Sequence, residues 1–383
     1  MNVISHTVHW VFSTGSPGGD RQATVPGPPT SRRESSRAGV ELRPLAPREI
    51  YEQAARVIRA GGLVAFPTET VYGLGADAQS EQAIRAVYAA KGRPADNPLI
   101  AHIAQLSQLS RLCAAVPPLA HELMATFWPG PLTIVLPAAP GAPRALTAGL
   151  PDVAVRMPRH PVALALILAA GVPVAAPSAN LSGRPSPTEA DHVLDDLAGK
   201  IDGVIDGGPC EVGIESTVIA LDESGAIIIL RPGAVGRVDL SRFGVPVRYD
   251  PALLAGDAAA PRAPGQKYRH YAPRAPVLLV RGGVQQAALA AIERFAAEIS
   301  TAGAAVAVLT VSAARAPNGA RLWLPLSFSG AAEEVARELY RALRMCDDAG
   351  VDRILLEGVS GGQEGVAVMN RMVKAAGGRV VEV

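Results

Sequence analysis

From residue 277 to the C terminus, short apolar runs alternate with segments of helical period, and this alternation constrains the fold more than any other feature. Two strands joined through a helix pair in parallel, because the helix carries the chain back to the starting edge. The sequence therefore predicts a small, Rossmann-like parallel α/β domain in residues 277–383. Its strands are expected at 277–280, 305–311, 321–326, 353–359 and 379–383, and its helices at 285–298, 331–348 and 364–376.

Earlier in the chain, strands and helices follow one another less regularly. This pattern predicts an α+β domain with a twisted mixed sheet and flanking helices, so that the whole chain is of the α/β class. Strands are expected at 63–66, 99–103, 132–136, 153–157, 173–176, 216–221 and 226–230. Helices are expected at 47–60, at 81–91, and at 119–128, 162–170 and 188–198, with Ser80 and Gly92 bounding the second.

A chain of 383 residues is long enough for two domains. We place the catalytic domain at 41–246 and the C-terminal domain at 277–383. Residues 247–276 are rich in Ala, Gly and Pro and read as a linker, although the dense segment KYRHY at 267–271 is expected to dock onto another surface. Residues 1–40 show no helical or strand period and read as a disordered or dispensable extension.

Composition excludes several classes of protein. Hydrophobic residues make up 49% and the net charge is +1, which argues against global disorder and against chain-wide binding to nucleic acid or membrane. The longest apolar run, 162–176, is shorter than the ~20 residues of a membrane span and is broken by Gly171 and Pro173. The three cysteines form no CxxC pair, so neither a disulfide framework nor a zinc site is expected. We expect a cytoplasmic protein.

The segment KGRPADNPLIAH carries the clearest phosphate-binding pattern. Lys91 and Arg93 flank a glycine after a helix, and the following proline limits where the two cations can point. An arginine fork suits paired phosphate oxygens, and Asn97 and His102 add donors nearby. The alternative is that Lys91 only complements the helix dipole.

Further donors occur where other predicted strands end. Arg156 lies in an apolar strand and needs an anionic partner, either a bound carboxylate or a structural one. The loops 66–78 and 177–188 offer small hydroxyl and amide groups suited to a small ligand or to phosphate, or they serve only as strained and capping connections. No GxxxxGK[ST], HExxH or GxSxG motif is present, so ATP would bind outside the common motifs.

These segments together resemble a known family. PTETVYGLG, KGRPADNPL, Ser178-Ala179-Asn180, GIESTV and RPG occur in the order and spacing of the YrdC-like threonylcarbamoyl-AMP synthases. PGQKYRHYAP at 264–273 is similar to the linker of the long form, which carries an additional C-terminal domain. The resemblance covers the chain from about residue 42 onward.

The resemblance implies a nucleotidyltransferase that condenses L-threonine, bicarbonate or CO2, and ATP into L-threonylcarbamoyl-adenylate and pyrophosphate. It also implies that downstream proteins transfer the threonylcarbamoyl group to the tRNA adenosine beside the anticodon, and it leaves room for a weak tRNA contact. Mg²⁺ would be bound by the phosphates of ATP, and no protein residue is assigned as a metal ligand.

The resemblance further assigns residues to roles. Lys91 and Arg93 would be catalytic, and Tyr268 would fold over the site to exclude water. The ATP-binding set would be Lys91, Arg93, Asn97, Ser178, Asn180, Ser186, Arg231 and Tyr268. The L-threonine-binding set would be Thr70, His102, Arg156, Ala176 through its backbone, and Ser216.

Three alternatives of other classes fit parts of the same sequence. A non-catalytic module that binds tRNA or double-stranded RNA is disfavoured by the near-neutral charge and by the lack of Lys/Arg stripes with interleaved aromatics. A hydrogenase-maturation carbamoyltransferase would carry paired CxxC motifs, which this sequence lacks. The C-terminal domain could also serve only as a lid or a dimer contact.

Overall fold

The computed structural model describes residues 6–12, 40–255, 270–283, 285–359 and 362–383. These residues form one sheet of twelve strands and one of five. The larger sheet is mixed, with antiparallel pairs such as the one between 134–137 and 152–155 beside parallel ones. The expected α/β class with a mixed sheet is therefore confirmed.

The large sheet runs in the order β12-β11-β10-β6-β7-β5-β8-β4-β3-β9-β1-β2. Its strands are β1 (Thr7–Phe12), β2 (Val40–Leu45), β3 (Val64–Phe66), β4 (Gly73–Asp77), β5 (Ile100–His102), β6 (Leu132–Pro137), β7 (Asp152–Arg156), β8 (Val174–Ala175), β9 (Gly203–Ile205), β10 (Thr217–Leu221), β11 (Ile227–Arg231) and β12 (Val247–Tyr249).

Helices flank this sheet, and local signals in the sequence set their ends. The second helix begins at Ser80, whose hydroxyl accepts a hydrogen bond from the amide of Ala83, and ends at Gly92 in the left-handed conformation. The helices are α1 (Pro47–Arg59), α2 (Glu81–Lys91), α3 (Pro118–Phe127), α4 (Arg144–Thr147), α5 (Pro161–Ala170), α6 (Ala190–Leu197), α7 (Arg237–Ser241) and α8 (Ala252–Ala255), with a 3₁₀ helix at Leu106–Arg111.

The core lies on both faces of the large sheet. Phe66 packs with α1 and α5 on one face, whereas its neighbour Ala65 belongs to the cluster with α2, α3 and α6 on the other. Successive side chains of a strand point to opposite faces, so one short strand contributes to both cores. In the part of the chain that the structure describes, no helix combines the length and apolarity that a membrane span requires.

The five-stranded sheet has the order β15-β14-β16-β13-β17, and all of its pairs are parallel. The prediction of a parallel sheet in residues 277–383 is therefore confirmed. Its strands are β13 (Val277–Arg281), β14 (Val306–Thr310), β15 (Leu322–Pro325), β16 (Arg353–Glu357) and β17 (Val380–Glu382), connected by α9 (Gln285–Thr301), α10 (Ala332–Asp348) and α11 (Gln363–Ala375).

The structure corrects the expectation for the N-terminal extension. Residues 7–12 form β1, which pairs in parallel with both β2 and β9. Trp10 is only 2% exposed, and a Cβ on Gly203 would lie 2.2 Å from its ring, so the glycine makes room for the indole. The hydroxyl of Thr7 donates to the carbonyl oxygen of Ile201. The Ser-, Gly-, Pro- and Arg-rich stretch that follows dominates the composition of residues 1–40 and obscures this short strand. Of that extension, residues 1–5 and 13–39 lie outside the described residues.

Two further segments differ from expectation. Val247–Tyr249, placed at the start of the predicted linker, pairs with β11 and so belongs to the sheet. Gly73–Asp77, within the predicted ligand loop, is strand β4. Close packing explains one of its glycines, because a Cβ on Gly75 would lie 2.7 Å from the ring of Phe66. The remaining domain boundaries stay predictions.

Candidate active site

A cavity opens where the β3–β4 loop, the ends of β7 and β11, the start of β10 and the segment 176–186 meet. Its empty space, including solvent at its mouth, is about 660 Å³. The cavity brings together these residues that the sequence predicted: Thr70, Arg93, His102, Arg156, Ala176, Ser178, Asn180, Ser186, Ser216 and Arg231.

Arg156 ends β7 and is almost completely buried. Its Nη2 lies 2.8 Å from Oε1 of Glu69, its Nη1 donates to Thr70 Oγ1 at 2.9 Å, and its Nε donates to the carbonyl oxygen of Gly130. Burial alone would raise the pKa of Glu69, but the charge of Arg156 and hydrogen bonds to the carboxylate together outweigh burial and lower it. The predicted structural carboxylate therefore exists, and Arg156 lines the cavity as well.

His102 lies on the cavity wall with its Nδ1 3.2 Å from the carbonyl oxygen of Ile100. Burial, together with the positive charge of Arg156, lowers the pKa of His102 to about 3. The ring is therefore neutral near pH 7 and is a weak base. The amide of Ala176 donates to the same carbonyl oxygen at 2.9 Å, which joins the two residues at this end of the cavity.

Lys91 lies behind the cavity wall and is not among the lining residues. Its Nζ donates to the carbonyl oxygens of Ser178 and Asn180, both at 2.5 Å. Burial and the neighbouring Arg93 lower its pKa well below the usual value. Because the ammonium contacts the backbone of the loop, it holds that loop against the end of α2.

The loop 178–184 is fixed further by its own side chains. Ser178 Oγ donates to Asn180 Oδ1 at 2.6 Å, and Asn180 Nδ2 donates to the carbonyl oxygens of Leu181 and Arg184. Arg93, which faces the cavity, donates through Nε to the carbonyl oxygen of Asn97 at 3.2 Å. These bonds hold the donors of the loop in fixed positions.

Besides Lys91, the predicted residue Asn97 stands apart from the cavity lining. Asn97 is 1% exposed, does not line the cavity, and its side-chain amide has no hydrogen-bond partner among the described residues. Tyr268 lies outside the described residues. Its neighbours His270 and Tyr271 do line the cavity, so the described end of the KYRHY segment reaches the site.

Ser186, Ser216 and Arg231 meet on the wall nearest the C-terminal domain. Arg231 donates through Nε to the carbonyl oxygen of Ser216 and through Nη2 to its hydroxyl, both at 3.0 Å. Ser186 Oγ donates to Glu215 Oε1 at 2.6 Å. Burial would raise the pKa of Glu215, but the charges of Arg371 and Arg231 outweigh burial and lower it to about 2.

Sequence reasoning missed several cavity residues. Glu215 lies inside the GIESTV segment and Arg184 inside the SANLSGRPSPT segment, but neither was selected. Tyr271 has a φ of 64° and stacks on Tyr340 of α10 at a ring-centre distance of 5.3 Å. The basic residue and the acidic residue lie inside segments that the resemblance covers, and this was an available signal. The stacking joins the end of the KYRHY segment to a helix far along the chain, which no local pattern shows.

The lining is rich in guanidinium groups, which come from Arg93, Arg156, Arg184 and Arg231. Such a cavity suits a ligand with several negative charges. Among the described residues, no cluster of three or more His, Cys, Asp or Glu side chains could hold a metal ion. The arrangement can therefore bind a polyanion at one end and a small polar molecule beside Thr70 and Ser216.

Two family models match nearly adjacent parts of the chain. The Sua5/YciO/YrdC model, described as "Telomere recombination", matches residues 56–233. The model described as "Threonylcarbamoyl-AMP synthase, C-terminal domain" matches residues 235–377.

Curated relatives agree over most of the chain. The threonylcarbamoyl-AMP synthase of Pyrococcus abyssi is 48% identical over 330 residues, which cover 86% of this chain and 95% of that protein. The threonylcarbamoyl-AMP synthase of Bacillus subtilis is 46% identical over 331 residues, covering 86% and 93%. The crystal structure of P. abyssi Sua5 complexed with L-threonine superposes with a TM-score of 0.83 at 46% identity, covering 89% of this chain and 98% of that one.

Proposed function

The chain belongs to the Sua5/YciO/YrdC family in its long form with a C-terminal Sua5 domain, and on this premise we propose that it synthesises L-threonylcarbamoyl-adenylate. The substrates are L-threonine, bicarbonate or CO2, and ATP, and the second product is pyrophosphate. The observation that carries the proposal is the arginine-rich cavity, in a chain that superposes over most of its length on a Sua5 structure holding L-threonine.

Threonine would bind at the end of the cavity lined by Arg156, Thr70, His102, Ala176 and Ser216. Arg156 is the one of these that carries a charge suited to an amino-acid carboxylate. The hydroxyl of Ser216 lies 2.8 Å from Thr133 Oγ1, which fixes its position for a polar contact. The neutral ring of His102 adds a polar group without adding charge.

ATP would bind toward Arg93, Arg231, Ser178, Asn180 and Ser186. Guanidinium groups there can form paired hydrogen bonds to phosphate oxygens. Lys91 serves the same end of the cavity indirectly, because it holds the loop that presents Ser178 and Asn180. For Lys91 we therefore propose a positioning role, and we keep the direct phosphate contact for Arg93.

The chemistry needs orientation and charge stabilisation more than proton transfer. The threonine amine reacts with bicarbonate, with loss of water, or with CO2, with loss of a proton, to give a carbamate. A carbamate oxygen then attacks the α-phosphorus of ATP. The bond from that phosphorus to the bridging oxygen breaks, and pyrophosphate leaves. Fixed cationic donors stabilise the negative charge that grows on the phosphates during this step.

Mg²⁺ bound to the phosphates would supply additional charge neutralisation. Among the described residues that line the cavity, Glu215 is the one carboxylate, and Ser186, Tyr340 and Arg371 already donate to it. The residues present therefore fit an ion held mainly by phosphate oxygens and water.

We also propose a cytoplasmic location, where ATP and tRNA are both available. The product is a mixed anhydride that hydrolyses readily in water, so downstream proteins that transfer the threonylcarbamoyl group to tRNA would receive it soon after release. A weak contact with tRNA would assist this transfer.

The direct test incubates the purified protein with ATP, bicarbonate and each of several amino acids. Pyrophosphate release is measured together with the mass of the adenylate product. We expect threonine-dependent pyrophosphate and a threonylcarbamoyl-adenylate mass. ATP turnover that does not depend on threonine, or an adenylate of another amino acid, would overturn the proposal.

A further inference from the structure

Glu215 is a cavity carboxylate whose partners come from both domains. It is 6% exposed and accepts a hydrogen bond from Ser186 of the catalytic domain. Tyr340 of α10 donates to its Oε2 at 3.0 Å, and Arg371 of α11 donates to the same oxygen at 3.0 Å. The C-terminal domain therefore supplies the cationic partner of a carboxylate that lines the catalytic cavity.

Arg371 also contacts the segment that carries Arg231. It is fully buried, and its Nη1 donates to the carbonyl oxygen of Pro232 at 2.6 Å. That segment packs tightly on the start of β10, since a Cβ on Gly233 would lie 2.4 Å from the amide nitrogen of Thr217. One guanidinium thus joins Glu215 to the segment that carries Arg231.

The charges explain why this contact matters for a nucleotide. Without Arg371, the buried carboxylate of Glu215 would keep its charge close to the proposed phosphate end of the cavity. A buried charge without its partner is strongly unfavourable, and here it would also repel the phosphates. Arg231, whose charge also lowers the pKa of Glu215, would be drawn toward that carboxylate and away from the ligand.

We propose that Arg371 is a positioning residue for the nucleotide: by neutralising Glu215 and holding the Pro232 carbonyl, it sets Ser186 and Arg231 for the triphosphate. The C-terminal domain thereby completes the catalytic cavity through residues outside the KYRHY segment. This inference rests on the proposed synthesis of the adenylate. It predicts a larger defect for ATP than for threonine, because Arg156 and Thr70 at the threonine end do not contact Arg371, whereas Ser216 is linked to it through Arg231.

The test replaces Arg371 by methionine in the full chain and measures the KM for ATP, the KM for threonine, and kcat. We expect the KM for ATP to rise about tenfold or more, with the KM for threonine changed less than about twofold. Arg337→Met is the matched control. Arg337 of α10 also donates a hydrogen bond to the other domain, to the carbonyl oxygen of Glu211 at 3.0 Å. It is exposed, however, and does not line the cavity. A titration with ATP in the absence of threonine gives the dissociation constant for ATP, which allows the same comparison independently of turnover.

Two further variants cover the case in which Arg371→Met does not fold. Tyr340→Phe removes a single donor to Glu215, and we expect a smaller rise in the KM for ATP alone. The double variant Glu215→Gln with Arg371→Met removes the unpaired charge, and we expect it to fold and to bind ATP more tightly than the single variant. An unchanged KM for ATP in Tyr340→Phe and in the folded arginine variant overturns the inference. A wild-type protein that makes no adenylate overturns the proposed function instead.

Discussion

The ammonium nitrogen of Lys91 lies 2.5 Å from the carbonyl oxygen of Asn180, behind the cavity wall and not within it. Lys91→Met keeps the aliphatic stem and leaves two buried carbonyl oxygens without their donor, which costs about 1–3 kcal/mol for each. We expect adenylate synthesis to be lost together with a measurable fall in the free energy of unfolding. Pyrophosphate release and a urea titration report the two effects.

Lys200→Met is the control for Lys91, because it removes an exposed lysine of the same domain. It should leave both activity and stability unchanged. A Lys91→Met protein with wild-type stability and no activity would instead favour direct contact of the ammonium with phosphate. A variant with wild-type activity would contradict any role for this residue.

Arg156 allows the threonine end to be tested separately. Arg156→Lys keeps a cation near Glu69 but loses the fork that contacts Thr70 and Gly130 together. We expect the KM for threonine to rise about tenfold or more, with the KM for ATP nearly unchanged. Steady-state kinetics with each substrate varied in turn provide the measurement.

The matched control for Arg156 is Arg159→Lys, since Arg159 pairs with Glu211 on the surface. Exposed pairs contribute only about 0–1 kcal/mol, so this variant should behave as the wild type. If Arg156→Lys raised the KM for ATP and left the KM for threonine unchanged, the assignments of ATP and threonine to the two ends of the cavity would have to be exchanged.

Local signals in the sequence were enough to predict most of the elements, and ten of the residues that the resemblance assigns to the site line the cavity. Ser80 and Gly92 mark the ends of α2, and the alternation after residue 277 gave the parallel sheet. What the sequence could not give depends on contacts between distant segments. The partner of Lys91 is a backbone loop 87 residues away, and Arg371 lies 156 residues from Glu215. No periodicity or spacing records such distances.

Strand β1 was also missed, and Trp10 tests whether it belongs to the core. Truncating a buried tryptophan costs about 3–5 kcal/mol, because its large apolar surface is lost and a cavity remains. We expect Trp10→Ala to lower the free energy of unfolding by that amount while leaving the KM values unchanged. Phe12→Ala, at a half-buried position of the same strand, should cost less. Equal stability of Trp10→Ala and the wild type would show that β1 is dispensable.

His102 has a pKa of about 3, lowered by burial and by Arg156, and this value restricts its role. A base that is neutral across the working range cannot produce an inflection between pH 5 and 8. We expect any inflection in the pH profile of kcat/KM for threonine to persist in His102→Asn, with a lower value throughout. The exposed His121→Asn serves as the control. Disappearance of an inflection only in His102→Asn would identify this ring as a general base after all.

The acid stability of the protein should depend on Glu215. Its folded pKa of about 2 lies below the usual value of 4.5, so the folded state binds fewer protons than the unfolded state between these values. The contribution to stability is therefore complete above pH 4.5 and is lost as the pH falls toward 2, a loss of about 3 kcal/mol. In Glu215→Gln, the free energy of unfolding should fall less steeply with acidification over this window. Urea titrations at a series of pH values measure the slope, and the exposed Glu223→Gln gives the comparison. Identical slopes in Glu215→Gln and the wild type would mean that folding does not lower the pKa of this carboxylate.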